Sequence, residues 1–234
     1  GEQFPVLFEI IDANDWLSVQ VHPDDVLAAE RELGNGKTEM WYVMQADKDA
    51  ELVAGFNRAM TKEDFVKVMQ ENRLQEVLNR EPVREGDVIF MPAGRVHALG
   101  PGIMVAEIQQ TSDVTYRIYD WDRIDVAGMR RELHVAQALE ALDFEVPDSY
   151  KTPVVNKMNQ TVPVVDSPYF VTGMLQLDGE MEKDYSNLDS FVVLFSVKGN
   201  FSLQWENGTE CVREGECILI PNCIKKVKIR AEHY

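Results

Sequence analysis

The chain has 234 residues, 45% hydrophobic and 27% charged, with a formal net charge of −17. This is an ordinary composition for a water-soluble globular protein, and the length permits one large domain or two of moderate size. So acidic a chain argues against nucleic acid and against anionic membrane surfaces, both of which need clustered Lys and Arg.

A small anionic ligand remains compatible, because a metal and one or two basic side chains make a pocket locally positive. No apolar run approaches the roughly 18–20 residues of a membrane helix. The chain opens on Gly-Glu-Gln, and no signal peptide is read in it.

Residues 5–12 and 16–22 are expected to be strands. In the second, Ser18, Gln20 and His22 alternate with Leu17, Val19 and Val21, so the polar set shares one face. HPDDVLAAERELG then predicts a short helix closed by Gly34. A second hairpin follows, with Glu39 and Trp41 on one face of a strand from Glu39 to Met44. Residues 61–80 begin with a Thr61/Asp64 capping pattern and carry the apolar stripe Phe65, Val68 and Met69. They predict a helical insertion at about residues 60–81, two short helices broken near Asn72.

GDVIFMPAGRVH, Gly86 to His97, predicts a strand, a tight Pro-Ala-Gly turn and a histidine at the start of the next strand. Pro92 fixes its own φ, and Gly94 supplies the freedom a sharp reversal needs. The spacing of Gly86, Pro92, Gly94 and His97 is similar to the second sequence motif of the cupin superfamily. That resemblance implies a small β-barrel in which the histidine is a metal ligand, with partners from an earlier hairpin. Gln20, His22 and Glu39 are placed to be those partners. Two imidazoles and a carboxylate, with an amide nearby, suit zinc or another divalent first-row ion, and an exchangeable position makes such a site catalytic.

Beyond His97, Met104, Ala106 and Ile108 alternate with Glu107 and Gln109, which marks a half-buried strand. In the next strand Asp113, Thr115 and Arg117 share a face. Residues 128–143 have helical periodicity, with Leu133, Ala136, Leu139 and Leu142 on one side and His134 as a surface residue. Val146 to Ser167, rich in Pro, Asn and Asp, reads as a linker. From Phe170 onward strand follows strand. Gly215 to Pro221 repeats the spacing of Gly86 to Pro92, but Cys223 stands where Gly94 stood and Lys226 where His97 stood.

The expected fold is therefore mainly β: two cupin (jelly-roll) barrels with a small helical insertion and a linking helix. Residues 1–145 form the metal-binding barrel and 146–234 a second, degenerate barrel without metal ligands. Cys211, Cys217 and Cys223 are expected to be reduced thiols in a cytoplasmic protein.

LSVQVHPDD (17–25), GKTEMWYV (36–43), GDVIFMPAGRVHALG (86–100) and EIQQTSDVTYRIYDWDR (107–123) together resemble the type I mannose-6-phosphate isomerases, in particular their shorter bacterial class. The resemblance implies a cupin enzyme with one Zn2+ per chain that interconverts mannose 6-phosphate and fructose 6-phosphate through an enediolate. It implies metal ligands at His22, Glu39 and His97, with Gln20 as a fourth, and an active-site arginine at Arg117. Arg117 is expected to stabilise the developing oxyanion or to clamp the phosphate.

Lys37 and Glu107 compete for the role of base, Lys37 through a pKa lowered near the metal. Lys37 is alternatively a phosphate contact, and Ser18 a phosphate or hydroxyl contact. Members of the family begin several tens of residues earlier, with a segment containing a Trp-Gly motif, so that N-terminal segment is expected to be absent here.

Two rivals stand beside this reading. One is a non-catalytic sugar-phosphate-binding cupin. The other is an iron-dependent dioxygenase, disfavoured by Lys37 and Arg117, which oxygen chemistry does not need. The second barrel is expected either to cover the first or to mediate association, as in a homodimer.

Overall fold

The structure, a computed structural model, describes residues 4–232. Two compact units divide it: the described residues through Val154 with Val165–Val171, and Val155–Val164 with the residues from Thr172 onward. The first unit contains β1 (Val6–Ala13), β2 (Val19–Val21), α1 (Asp25–Glu30), β3 (Glu39–Ala46), β4 (Glu51–Phe56), α2 (Lys62–Gln70), β5 (Leu78–Pro82), β6 (Val88–Met91), β7 (His97–Ala98), β8 (Ile103–Gln110), β9 (Tyr116–Tyr119), α3 (Val135–Ala141) and β10 (Lys151–Thr152). Its strands form two five-stranded sheets, ordered β1-β8-β3-β6-β10 and β5-β4-β7-β2-β9. The fold is the mainly β, cupin-type architecture that the Gly86–His97 spacing predicted.

The inward faces of the two sheets meet in a core that includes Trp41, Val43, Leu52, Ile89, Ile103 and Val105. The second sheet is buried on its other face too, where Val19, Val21, Phe56 and Ile118 meet Phe65 and Val68 of α2 and Ala138 of α3. That double burial explains why β4 is a continuous apolar run rather than an alternating one. Burying a side chain such as Phe65, fully inaccessible here, stabilises the fold by roughly 1.5–3 kcal/mol. In β2 the apolar residues serve the helix side and leave Gln20 free to face the barrel interior.

Several expectations need correction. The anticipated second hairpin does not form, because β3 and β4 lie in different sheets and the chain crosses over through a turn closed by Ala50 N–H to Asp47 O. Helix α1 is closed by Glu32, not Gly34: Glu32 adopts a left-handed φ of 57°, and the Leu33 and Glu32 amides bond back to Ala28 and Ala29. The Thr61/Asp64 capping box is present and starts α2. After Asn72, however, comes only a single 3-10 turn, Leu74–Glu76, and residues 78–82 become β5 on the edge of β4.

The helix expected over 128–143 is confined to Val135–Ala141. Arg117 ties down the preceding residues outside the helix by donating from Nη1 to the Glu132 carbonyl and from its backbone N–H to His134 Nδ1. Leu133 is consequently exposed, and His134 is the half-buried N-cap residue of α3. The supposed linker contains β10 and an anchored side chain, Tyr150, whose hydroxyl donates to the Phe56 carbonyl at 2.7 Å. On β8, the face bearing Glu107 and Gln109 is the more buried one, because it lines the barrel interior.

Farther along the chain come β11 (Gln160–Asp166), β12 (Val171–Gln176), β13 (Glu180–Asp184), β14 (Val192–Phe195), β15 (Asn200–Trp205), β16 (Gly208–Val212), β17 (Cys217–Ile220) and β18 (Lys226–Glu232). Strands β13, β18, β15 and β16 form one sheet and β14 pairs with β17, around Leu203, Ile220, Val227 and Ile229.

The repeated motif folds as a repeated structure. In VREGDVIFMP the Arg84 amide donates to Asp87 Oδ2 at 3.0 Å and the Asp87 amide to Arg84 O at 3.1 Å. In VREGECILIP, Arg213 and Glu216 make the same two bonds at 2.9 Å each. Met91 is in register with Glu39, and its counterpart Ile220 with Val192. Valine thus occupies the register position of the carboxylate, and Lys226 opens β18 as His97 opens β7. Among the described residues no helix is long and apolar enough to cross a membrane.

Candidate metal centre

His22 immediately follows β2, and its carbonyl accepts from the Gly94 amide at 2.9 Å. Gly94 has a φ of 90°, the left-handed geometry that turns the chain from β6 into β7 and delivers His97. Glu39 opens β3 in the facing sheet. The three side chains are almost wholly buried, and one potential ligand atom from each lies within 4.8 Å of the others.

The imidazoles are pre-set. His22 Nδ1 lies 2.8 Å from the Val114 carbonyl and His97 Nδ1 lies 2.9 Å from the Arg95 carbonyl. A carbonyl only accepts, so each Nδ1 carries the proton and each Nε2 turns a lone pair inward. Those Nε2 atoms stand 3.6 Å and 3.3 Å from the Glu39 oxygens. Burial, together with each other's and Lys37's charge, holds His22 well below the usual imidazole range, and burial brings His97 down to about 4. Burial pushes Glu39 up, against the pull of Lys37.

His22 Nε2 and Glu39 Oε1 are buried without a hydrogen bond, and Glu39 Oε2 meets only the Lys37 ammonium. Acceptors that converge in this way are costly unless a cation takes their lone pairs. The donor set and the orphaned atoms both fit a divalent ion of the zinc kind.

Around this trio, Lys37 Nζ lies 3.1 Å from Glu39 Oε2 and 3.4 Å from Glu107 Oε1. Trp41 Nε1 donates to Glu107 Oε2 at 2.7 Å, and its ring meets His97 edge-on at 5.3 Å. Burial and the Glu39 charge raise Glu107 to about 7. Lys37 moves opposite to the expectation for a base: burial lowers it, but Glu39 and Glu107 outweigh burial and its pKa is raised.

Gln20 is in register with His97, and its amide nitrogen lies 3.4 Å from His97 Nε2. Its oxygen accepts from Ser18 Oγ at 3.4 Å. A half-turn of the amide exchanges the two ends, so the position suits a fourth ligand. Arg117 is in register with Gln20 and shares its face. No hydrogen bond joins Arg117 to the trio. Its Nε is buried and unpaired, and burial, with Arg131 and Arg123 nearby, lowers its pKa. Asp120 is taken by Arg123 and Arg131, and among the described residues no ion pair holds Arg117.

Gln109 is a site residue that the sequence did not single out. It is in register with Glu39 and keeps a buried, unpaired Oε1; the only sequence signal was its alternation with Glu107. The Val114 and Arg95 carbonyls that orient the imidazoles gave no signal at all, since any residue supplies a carbonyl.

Two antiparallel sheets closed around two imidazoles and a carboxylate define a cupin-type barrel with a cluster that could hold a metal ion. A family model of the type I phosphomannose isomerase catalytic domain matches residues 1–57. Mannose-6-phosphate isomerase of Streptococcus mutans is 38% identical over 224 residues, covering 95% of this chain and 70% of its own length. Mannose-6-phosphate isomerase ManA of Bacillus subtilis is 36% identical over 234 residues, covering 98% and 73%. The crystal structure of the mannose 6-phosphate isomerase from Bacillus subtilis matches with a TM-score of 0.89 at 32% identity, covering 99% of this chain and 74% of that one. This chain belongs to the type I mannose-6-phosphate isomerase family, a family of isomerase enzymes.

Proposed function

We propose that the chain is a zinc-dependent aldose–ketose isomerase that interconverts mannose 6-phosphate and fructose 6-phosphate through an enediolate. The observation that carries this reading is the convergence of the buried His22, Glu39 and His97 side chains, with His22 Nε2 and Glu39 Oε1 left without a donor. These side chains, with Gln20, would hold the ion. When bound, zinc supplies Lewis-acid polarisation of the sugar oxygens.

The remaining work falls to the chain's own groups. Glu107 is our choice of base, since a carboxyl titrating at about 7 takes and returns a proton readily near neutrality. Trp41 and Lys37 fix its two oxygens. Lys37, kept as an ammonium by two carboxylates, donates to a substrate oxygen or to the phosphate. Arg117 carries a permanent charge on the Gln20 face and either stabilises the enediolate oxygen or clamps the phosphate. Ser18 is a contact for a hydroxyl or the phosphate.

We also read the second unit as a degenerate barrel, with Val192 and Lys226 in place of ligands, and the protein as cytoplasmic, in keeping with three exposed, unpaired cysteines.

The test is a coupled assay for fructose 6-phosphate formation by zinc-loaded protein, before and after chelation. Turnover that disappears with the metal and returns with it is the expected result. Sugar-phosphate binding without turnover would instead favour a binding protein.

A further inference from the structure

Residue Glu9 lies in the middle of β1, and its register partner on β8 is Glu107. Register partners in an antiparallel pair project to the same side of the sheet, and Glu107 projects inward, onto Lys37 and Trp41. Glu9 therefore stands on the inward face as well, between Leu7 and Ile11. Its charge acts on the buried Glu39 carboxyl. Glu9 is nonetheless exposed. Among the described residues no ion pair or side-chain hydrogen bond engages it. Glu9 is a carboxylate on the Glu107 face of the sheet with no partner among the described residues.

A carboxylate with two unengaged oxygens accepts well from neighbouring sugar hydroxyls and repels a phosphate. The basic groups Lys37 and Arg117 project from elsewhere, Arg117 from the opposite sheet beside Gln20. On the reading that this site isomerises a sugar phosphate, we propose that Glu9 is a specificity-determining residue. Its carboxylate accepts hydrogen bonds from the hydroxyls of the hexose and sets the orientation of the substrate, with the phosphate turned away from β1.

Calorimetric titration of zinc-loaded protein with mannose 6-phosphate, alongside KM and kcat, tests this. Removal of a charged acceptor in Glu9→Ala is expected to weaken binding and raise KM about tenfold, with a smaller change in kcat. Glu9→Gln, which keeps one acceptor oxygen, should recover part of the loss, and Glu9→Lys should recover none. Wild-type affinity in Glu9→Ala, or tighter binding by Glu9→Lys, overturns the role of Glu9 and leaves the isomerase reading intact. A wild-type protein that binds the sugar phosphate without turning it over sinks the isomerase reading alone. A wild-type protein that does not bind it removes both.

Discussion

Nε2 of His97 faces Oε1 of Glu39 across 3.3 Å, acceptor against acceptor, inside the barrel. His97→Ala removes one arm of that convergence. Loss of a mere outer-shell partner costs about 10–100-fold in metal affinity, so loss of a ligand costs more. Elemental analysis after gel filtration should find wild-type protein holding zinc and the variant stripped. Added zinc should raise the melting temperature of the wild type only.

Glu107→Gln and Lys37→Met separate the two candidates for proton transfer. With Glu107 as base, its loss should lower kcat by about 10²–10⁴-fold while zinc content stays at the wild-type level. Lys37→Met should act more through KM. A Glu107→Gln enzyme with near-normal kcat would return the role to Lys37.

The Trp41 indole donates to Glu107 Oε2 and so favours the ionised carboxylate, holding its pKa down against burial. Trp41→Phe removes that donor, and the pKa rises. The acidic limb of the kcat/KM profile, which reports a base that must be deprotonated, should begin near 7 in the wild type and move to higher pH in the variant. A limb that stays put would detach Glu107 from the chemistry.

Stability of the metal-free protein should also depend on pH through His97. The unfolded imidazole takes up a proton below about 6.5, whereas the folded one refuses it down to about 4. Between those values the unfolded state binds more protons, so stability falls as the pH drops. Urea titrations of chelated wild type and His97→Asn should diverge over that interval, with the wild type losing more.

Gly55 has a φ of 69°, and a methyl group there would sit 2.3 Å from the Tyr150 ring. Tyr150 cannot retreat without giving up its bond to the Phe56 carbonyl. Gly55→Ala should therefore destabilise the protein by roughly 1–3 kcal/mol, through overpacking added to left-handed strain. Thermal unfolding measures it.

What the sequence revealed was what local chemistry dictates. The Pro92–Gly94 turn and the alternation of Gln20 and His22 placed two imidazoles on inward faces, and Thr61 with Asp64 set the start of α2. It failed where distant contacts decide. Nothing local says that Arg117 will tie 132–134 down outside the helix and shorten α3, or that β3 and β4 will part into different sheets. The rise of the Lys37 pKa was half hidden, because Glu39 stands two residues away but Glu107 arrives from β8. Tyr150 looked like linker because its anchor, the Phe56 carbonyl, is a backbone group 94 positions away.

The bend built from Val83-Arg84-Glu85-Gly86 closes with the same bonds at Val212-Arg213-Glu214-Gly215, where no imidazole follows. The bend that leads into β6 therefore owes its shape to its own amides and carboxylates. An ion at His22, Glu39 and His97 is not what shapes that bend.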